Sequence, residues 1–305
     1  MKIFSGSSNK PLSEKVADKL GLPLSPIELF VFPDGERRIK LNDNVVDEDT
    51  IVVQSTASPV DQNYTELFFI IDALKRSGAR SITAVIPYVG YQRQDHVFRE
   101  GEAVSLQVMI KILESLDVDK VIVLDLHSIK IPEFFHVPLV HLSALPLFAE
   151  KIKKIAGDDA LLVSPDMGGL RRIQQISGFL NNMPWIATVK DRDLATGKID
   201  ISAIELFESG LKLQDLNGKS AFIVDDMTSS GGTLIKSAKL LIEHGVREVY
   251  AFITHPIFAN NAPDLLQNSV IKKVFVTDTV YIPKDKVFSK LEVLSVAGMI
   301  AEKIK

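Results

Sequence analysis

Short runs of β-branched and other apolar residues alternate along this chain with longer stretches whose apolar positions recur every three or four residues. The runs 50–55 (TIVVQS), 81–87 (SITAVIP), 120–126 (KVIVLDL), 160–165 (ALLVSP), 221–226 (AFIVDD), 248–254 (EVYAFIT) and 273–278 (KVFVTD) lack strict polar alternation. Continuous apolarity of that length predicts strands covered on both faces. Between them the period becomes helical. In 231–245, Leu234, Ile235, Ala238, Leu241 and Ile242 share one face and Gly245 supplies a stop. Strands alternating with helices predict an α/β fold with a mostly parallel sheet. Residues 291–305 (LEVLSVAGMIAEKIK) predict a terminal helix.

Two stretches, 50–87 and 221–256, share an order of elements: strand, small-residue loop, helix, Gly-x-Arg turn, strand, proline. Each is followed by a strand ending in an aspartate, Asp125 or Asp278. Any two βαβ units share part of this order, so the repeat carries weight only alongside other signals. A duplication implies related domains at 1–143 and 144–305, joined near 141–152, with the terminal helix free to pack back on the first.

Composition narrows the class. The 305 residues fit two domains, and a net charge of −4 argues against a sequence-independent nucleic-acid surface, which needs a basic excess. The absence of cysteine excludes disulfides and thiolate chemistry. No signal-peptide core opens the chain and no apolar run approaches a membrane span, so a soluble, cytoplasmic protein is expected.

The densest chemistry lies in 223–233, IVDDMTSSGGT. Backbone N–H groups of Ser230, Gly231 and Gly232 at a helix start can face an anion, and the hydroxyls of Ser229, Ser230 and Thr233 add donors. Asp225 and Asp226 would repel a phosphate but suit ribose hydroxyls. A lone acidic pair would be a solvated strand end; the loop after it favours a sugar phosphate. No P-loop lysine motif occurs.

Other strand ends offer candidates with open alternatives. Asp166 in VSPDMGGLRR could bind a cation, while Arg171 and Arg172 could be phosphate ligands or surface charges. In VLDLHS the two-residue period puts Asp125 and His127 on one face. His127 alone fits a buried, hydrogen-bonded histidine equally well; with Asp166 it suggests a hard-cation site suited to magnesium on substrate phosphates. Residues 91–102 (YQRQDHVFREGE) form either a functional loop or a charged connector. FVFPDGERRI (30–39) is a hairpin around a Pro-Asp-Gly turn. Lys190 and Arg192 lie on one side of an extended segment before a mobile loop, either closing over a transition state or serving as ordinary loop charges.

Together these pieces resemble the ribose-phosphate pyrophosphokinase family. FPDGE, VQSTASP, IPYVGYQRQD, DLHS, SPDMGG, a Lys-x-Arg, VDDMTSSGGT and THPIF occur in collinear order over nearly the whole chain. The resemblance implies two phosphoribosyltransferase-like α/β domains, each a mostly parallel sheet flanked by helices. It implies transfer of the β,γ-diphosphate of ATP to ribose 5-phosphate with Mg2+ as cofactor. Asp225 and Asp226 would take the ribose, and Ser229, Ser230, Gly231, Gly232 and Thr233 its phosphate. Phe32, Asp34 and Glu36 would contact adenine, reaching into a neighbour of a homo-oligomer (dimer or hexamer). Arg93 and Gln94 would bind ATP, His127 and Asp166 would organise magnesium, and Lys190 and Arg192 would stabilise the transferring group.

Ser229 and Gln107 depart from the family's frequent Asp and Lys, and Asn44 and Val46 stand where regulated members carry Ser-x-Arg. The catalytic assignment survives these changes; regulation does not follow from them. A phosphoribosyltransferase would need neither FPDGE nor a second domain. A non-catalytic relative would not need Lys190, Arg192, His127 and Asp166 together.

Overall fold

The structure, a computed structural model, describes residues 1–192, 199–206 and 212–305, without the side chains of 190–192 and 199–203. The chain divides into two compact units, one of residues 1–143, 278–281 and 295–305, the other of 144–277 and 282–294.

In the first unit the elements run β1 (Lys2–Ser5), α1 (Lys10–Leu20), β2 (Ile27–Val31), β3 (Arg37–Leu41), β4 (Asp49–Val53), α2 (Val60–Arg76), β5 (Ser81–Ile86), α3 (Ser105–Glu114), β6 (Lys120–Leu124) and β7 (Leu139–Leu142). Strands β1-β4-β5-β6-β7 form a wholly parallel sheet in that order. Strands β2 and β3 stand apart as an antiparallel hairpin. Helix α1 begins where Asn9 accepts the Leu12 N–H at 3.3 Å and stops at Gly21, whose φ of 72° is left-handed. Helix α2 turns Leu67, Ile70, Ile71 and Leu74 onto Val52, Ala84, Ile86 and Val121 of the sheet. Each such side chain stabilises the fold by about 1.5–3 kcal/mol relative to exposure.

The second unit contains α4 (Leu145–Ile155), β8 (Ala160–Ser164), α5 (Leu170–Phe179), β9 (Trp185–Arg192), β10 (Ile199–Glu205), β11 (Ser220–Thr228), α6 (Gly232–Glu243), β12 (Glu248–Pro256), α7 (Ala262–Gln267), β13 (Ile271–Thr277) and β14 (Leu291–Leu294). Its sheet runs β10-β9-β8-β11-β12-β13-β14, parallel except for β10 on β9. Alternate residues of β11 and β12 enter separate clusters. Ile223 and Ile253 pack with Leu234 and Leu241 of α6, whereas Phe222 and Phe252 pack with Ile173 and Ile176 of α5. Burial on both faces explains the unbroken apolar runs.

Two expectations need correction. Residues 291–294 form strand β14 beside β13, and helix α8 (Ala297–Ile304) follows, packing on α1 in the first unit. The sequence after the expected loop, KIDIS (198–202), carries no clear strand signal, yet from Ile199 it is β10, completed by pairing with β9. Among the described residues no helix is long and apolar enough to cross a membrane.

Candidate active site

Strand β11 carries the acidic pair past the last layer of core. Asp226 is 3% exposed, and its N–H donates to Asp225 Oδ1 at 2.9 Å. Two adjacent buried carboxylates repel, and the structure answers with Arg172 from α5. Its Nη1 reaches Asp225 Oδ1 at 3.0 Å and its Nη2 reaches Asp226 Oδ1 at 3.2 Å. Burial and the neighbouring Asp226 still push the Asp225 carboxyl well above the usual carboxylate range, with Arg172 opposing. Arg172 is therefore not a surface charge. It neutralises the pair.

Arg172 is aimed by the turn before α5. Asp166 Oδ1 accepts the Gly169 N–H at 3.2 Å, and Ser164 Oγ donates to the Asp166 carbonyl at 2.7 Å. A Cβ on Gly169 would lie 2.4 Å from Ser164 Oγ, so the turn closes only on glycine.

The loop after β11 is prepared for an anion. Its carbonyls are spent outward, with Ser229 O accepting the Ala259 N–H at 3.0 Å. Gly231 takes φ 77°, and an added Cβ would meet Leu266 at 3.2 Å. Among the described residues Gly231 caps no N–H of helix α6, and the Gly232 N–H makes only a long contact of 3.5 Å to Ser230 Oγ. The positive end of this 12-residue helix is the kind of place where an anion can bind. Ser229, Ser230, Gly232 and Thr233 border it. Lys190 and Arg192 both stand in β9, opposite Ile201 and Ile199 of β10. Their side chains lie outside the described residues, as does the backbone of 193–198, which covers most of the loop expected after them.

In the first unit, the loops leaving β5 and β6 lie side by side because these strands are neighbours. Residues 87–104 contain no helix or strand, which fits a functional loop and a charged connector equally. Arg93 and Gln94 are exposed there. The chain leaves β6 differently from expectation. Asp125 adopts φ 33°, so the two-residue period ends at Leu124 and no longer aligns Asp125 with His127. Instead the Leu126 N–H donates to His141 Nε2 and the His127 N–H to Gln92 Oε1, both at 3.0 Å. His127 is left exposed at the strand end. His127 belongs to the first unit and Asp166 to the second.

The hairpin tip is hydrogen-bonded and exposed. The Phe32 N–H donates to the Glu36 carbonyl at 2.7 Å, and the Glu36 N–H to Asp34 Oδ1 at 3.2 Å. Phe32 is 38% exposed and packs edge-on against Phe30 at 4.9 Å. The hairpin is tied to α2 by Arg37, which donates to the buried Glu66 at 3.0 Å. Glu36 and Arg37 line one wall of a cavity of about 410 Å³, with Asp61, Gln62 and Phe69 of α2 opposite. Sequence reasoning missed Gln92, His141 and Glu66, and left Arg172 undecided. None stands in a motif of its own; only the spacing of Arg172 after Asp166 hinted at a role.

The family described as the N-terminal domain of ribose phosphate pyrophosphokinase matches residues 1–116, and the phosphoribosyl synthetase-associated domain matches 211–305. A ribose-phosphate pyrophosphokinase of Fusobacterium nucleatum is 37% identical over 306 aligned residues, covering 100% of this chain and 94% of the relative. Ribose-phosphate pyrophosphokinase 1 of Streptococcus pyogenes is 36% identical, covering 100% and 93%. The crystal structure of phosphoribosylpyrophosphate synthetase from Mycobacterium smegmatis superposes with a TM-score of 0.90 at 31% identity, over 99% of this chain and 97% of that one.

Proposed function

The chain belongs to the ribose-phosphate pyrophosphokinase family and is an enzyme of that class, and we propose that it transfers the β,γ-diphosphate of ATP to the C1 hydroxyl of ribose 5-phosphate in line. The hydroxyl oxygen bonds to the β-phosphorus as the bond from that phosphorus to the α-phosphate's bridging oxygen breaks. AMP leaves with the bridging oxygen, and the hydroxyl proton passes to solvent. The observation that carries this reading is the Arg172-neutralised acidic pair directly before the glycine-led start of α6. Asp225 and Asp226 accept the ribose hydroxyls, and the loop 229–233 receives the 5-phosphate. Lys190 and Arg192 stabilise charge on the transferring group, while Arg93, Gln94, Phe32, Asp34 and Glu36 hold ATP. Positioning and charge neutralisation dominate such transfers, which fits the scarcity of candidate bases.

His127 and Asp166 would hold magnesium. The Asp166 carboxylate is the oxygen donor that a hard cation takes, and the exposed His127 imidazole could join it directly or through a bound water. Sparse liganding suits magnesium, which keeps water and substrate phosphates as its other ligands. When bound it supplies charge neutralisation on the phosphates. The exposed tip around Phe32 supports a homo-oligomer, dimer or hexamer, in which it completes a neighbour's adenine site. A fully active monomer by light scattering under assay conditions would overturn that assembly.

Purified protein given ATP, ribose 5-phosphate and magnesium should release AMP and phosphoribosyl diphosphate in equal amounts. Release of ADP, or AMP formation unchanged in excess chelator, would sink the reading.

A further inference from the structure

The loop that leaves β5 is clamped before it reaches Arg93. Tyr64 Oη donates to the Gly90 carbonyl at 3.0 Å, and the Gly90 N–H donates to Thr56 Oγ1 at 2.7 Å. A Cβ on Gly90 would come within 2.6 Å of the Thr56 carbonyl, so the clamp closes on glycine alone. Tyr91 then takes φ 61°, which turns the next side chain inward. Gln92 is 1% exposed, while Arg93 and Gln94 on either side of the following bond face solvent.

The single hydrogen bond of the Gln92 side chain fixes its orientation. Its partner is the His127 N–H, a donor, so the carbonyl Oε1 must face it at 3.0 Å and Nε2 must point away. Among the described residues Nε2 is buried without a hydrogen-bond partner. A buried donor left unpaired opposes folding. The carbonyl satisfies the His127 N–H, but two N–H donors stay stranded on Nε2, so the net contribution of glutamine to stability is small. What glutamine adds is the grip on His127.

We infer that Gln92 is a positioning residue that holds His127 through its main chain and so couples the ATP loop of Arg93 and Gln94 to the magnesium-binding end of β6. The inference rests on the proposed roles of those three residues. A partner that orients a metal ligand changes metal affinity or activity by roughly 10–100-fold when removed. Here the partner and the nucleotide ligands share the loop 87–104, so losing the grip should weaken nucleotide binding where magnesium takes part.

The test uses the full chain with wild type, Gln92→Met, Gln92→Ala and His127→Ala. Calorimetric titration with ATP, with and without magnesium, reads binding apart from turnover; titration with ribose 5-phosphate and thermal melting serve as controls. Gln92→Met should weaken ATP binding in magnesium by roughly tenfold, bind ATP without magnesium much as wild type does, and leave ribose 5-phosphate affinity and melting temperature unchanged. Gln92→Ala should weaken ATP binding in magnesium likewise, with ribose 5-phosphate affinity unchanged and a lower melting temperature from the cavity it leaves, and stands in if the Met variant does not fold. Wild-type ATP binding by both variants, while His127→Ala is impaired, overturns the role of Gln92 and leaves the site reading intact. Equal weakening of both substrates together with a lower melting temperature overturns it too, because that is what a merely structural residue would show. Wild-type binding by His127→Ala would defeat the site reading itself and the Gln92 inference with it.

Discussion

Arg172 stands between two carboxylates, and replacing it by Met keeps most of its length while deleting the charge. At an effective dielectric constant of about 20, the ion pair with Asp226 at the observed 3.2 Å is worth on the order of 5 kcal/mol before desolvation. Desolvation cancels much of that, and removing one partner of a buried pair costs about 3–5 kcal/mol in practice. Arg172 keeps 16% side-chain exposure, so the lower end, about 3 kcal/mol, applies. For a unit of this size that corresponds to a fall in Tm of roughly 6–12 °C. The pH dependence gives the sharper signature. Asp225 already has its native pKa above its unfolded value through burial and Asp226, and losing Arg172 raises it further. A group raised on folding contributes stability below its unfolded pKa and loses it as pH rises through the native one. The Arg172→Met deficit should therefore be small in acid and grow towards neutral pH. Adding Asp225→Asn should recover part of it by removing the repelling charge. Urea denaturation of the three variants across pH measures this. A deficit that is larger in acid than at neutrality, or absent throughout, would refute the account. In turnover, KM for ribose 5-phosphate should rise more than KM for ATP, because a protonated pair loses acceptors.

Lys190→Ala and Arg192→Ala should each lower kcat by about 10²-fold or more with little change in KM, the scale for donors acting on developing charge; steady-state kinetics with a raised KM and unchanged kcat would mark them as ground-state ligands instead. Activity should not depend strongly on inorganic phosphate. Val46 is 59% exposed and offers no donor, while Asp43 beside it is held ionised by Lys2 at 3.0 Å. Titrating phosphate from near zero in a non-phosphate buffer tests this, and steep activation would reveal an effector site built from other residues.

The strands and the hairpin were legible because their signals are local. The run 120–124 is apolar at four of its positions, and both faces of its strand are covered. The turn at Gly35 closes the hairpin as Pro-Asp-Gly suggests, with φ 94°. The start of α6 was legible too, since Gly231 takes the left-handed φ of 77° that the glycine pair before the helix suggests. Errors arose where the backbone departs from the regular period or where pairing arrives from elsewhere. Asp125 in a left-handed conformation ended an alternation that the residue types continued. Residues 199–205 became a strand because β9 was there to pair with them.

Partner choice in the site was the least legible layer, and the physical reason is distance along the chain. Arg172 is 53 residues from Asp225, and Gln92 is 35 residues from the backbone group it holds. Neither spacing is periodic, and neither residue type is unusual where it stands. Arginine after a glycine turn suits a surface helix, and glutamine in a polar loop suits solvent. What separates them from such neighbours is the energy of their settings. A guanidinium drawn under a sheet edge loses hydration that only a second charge restores, and two carboxylates were waiting for it. For Gln92 the imbalance remains, since a buried amide with an unpaired Nε2 has no compensation inside the described structure. That residual cost, in a loop whose outward side chains are the proposed ATP ligands, separates Gln92 from an ordinary core contact.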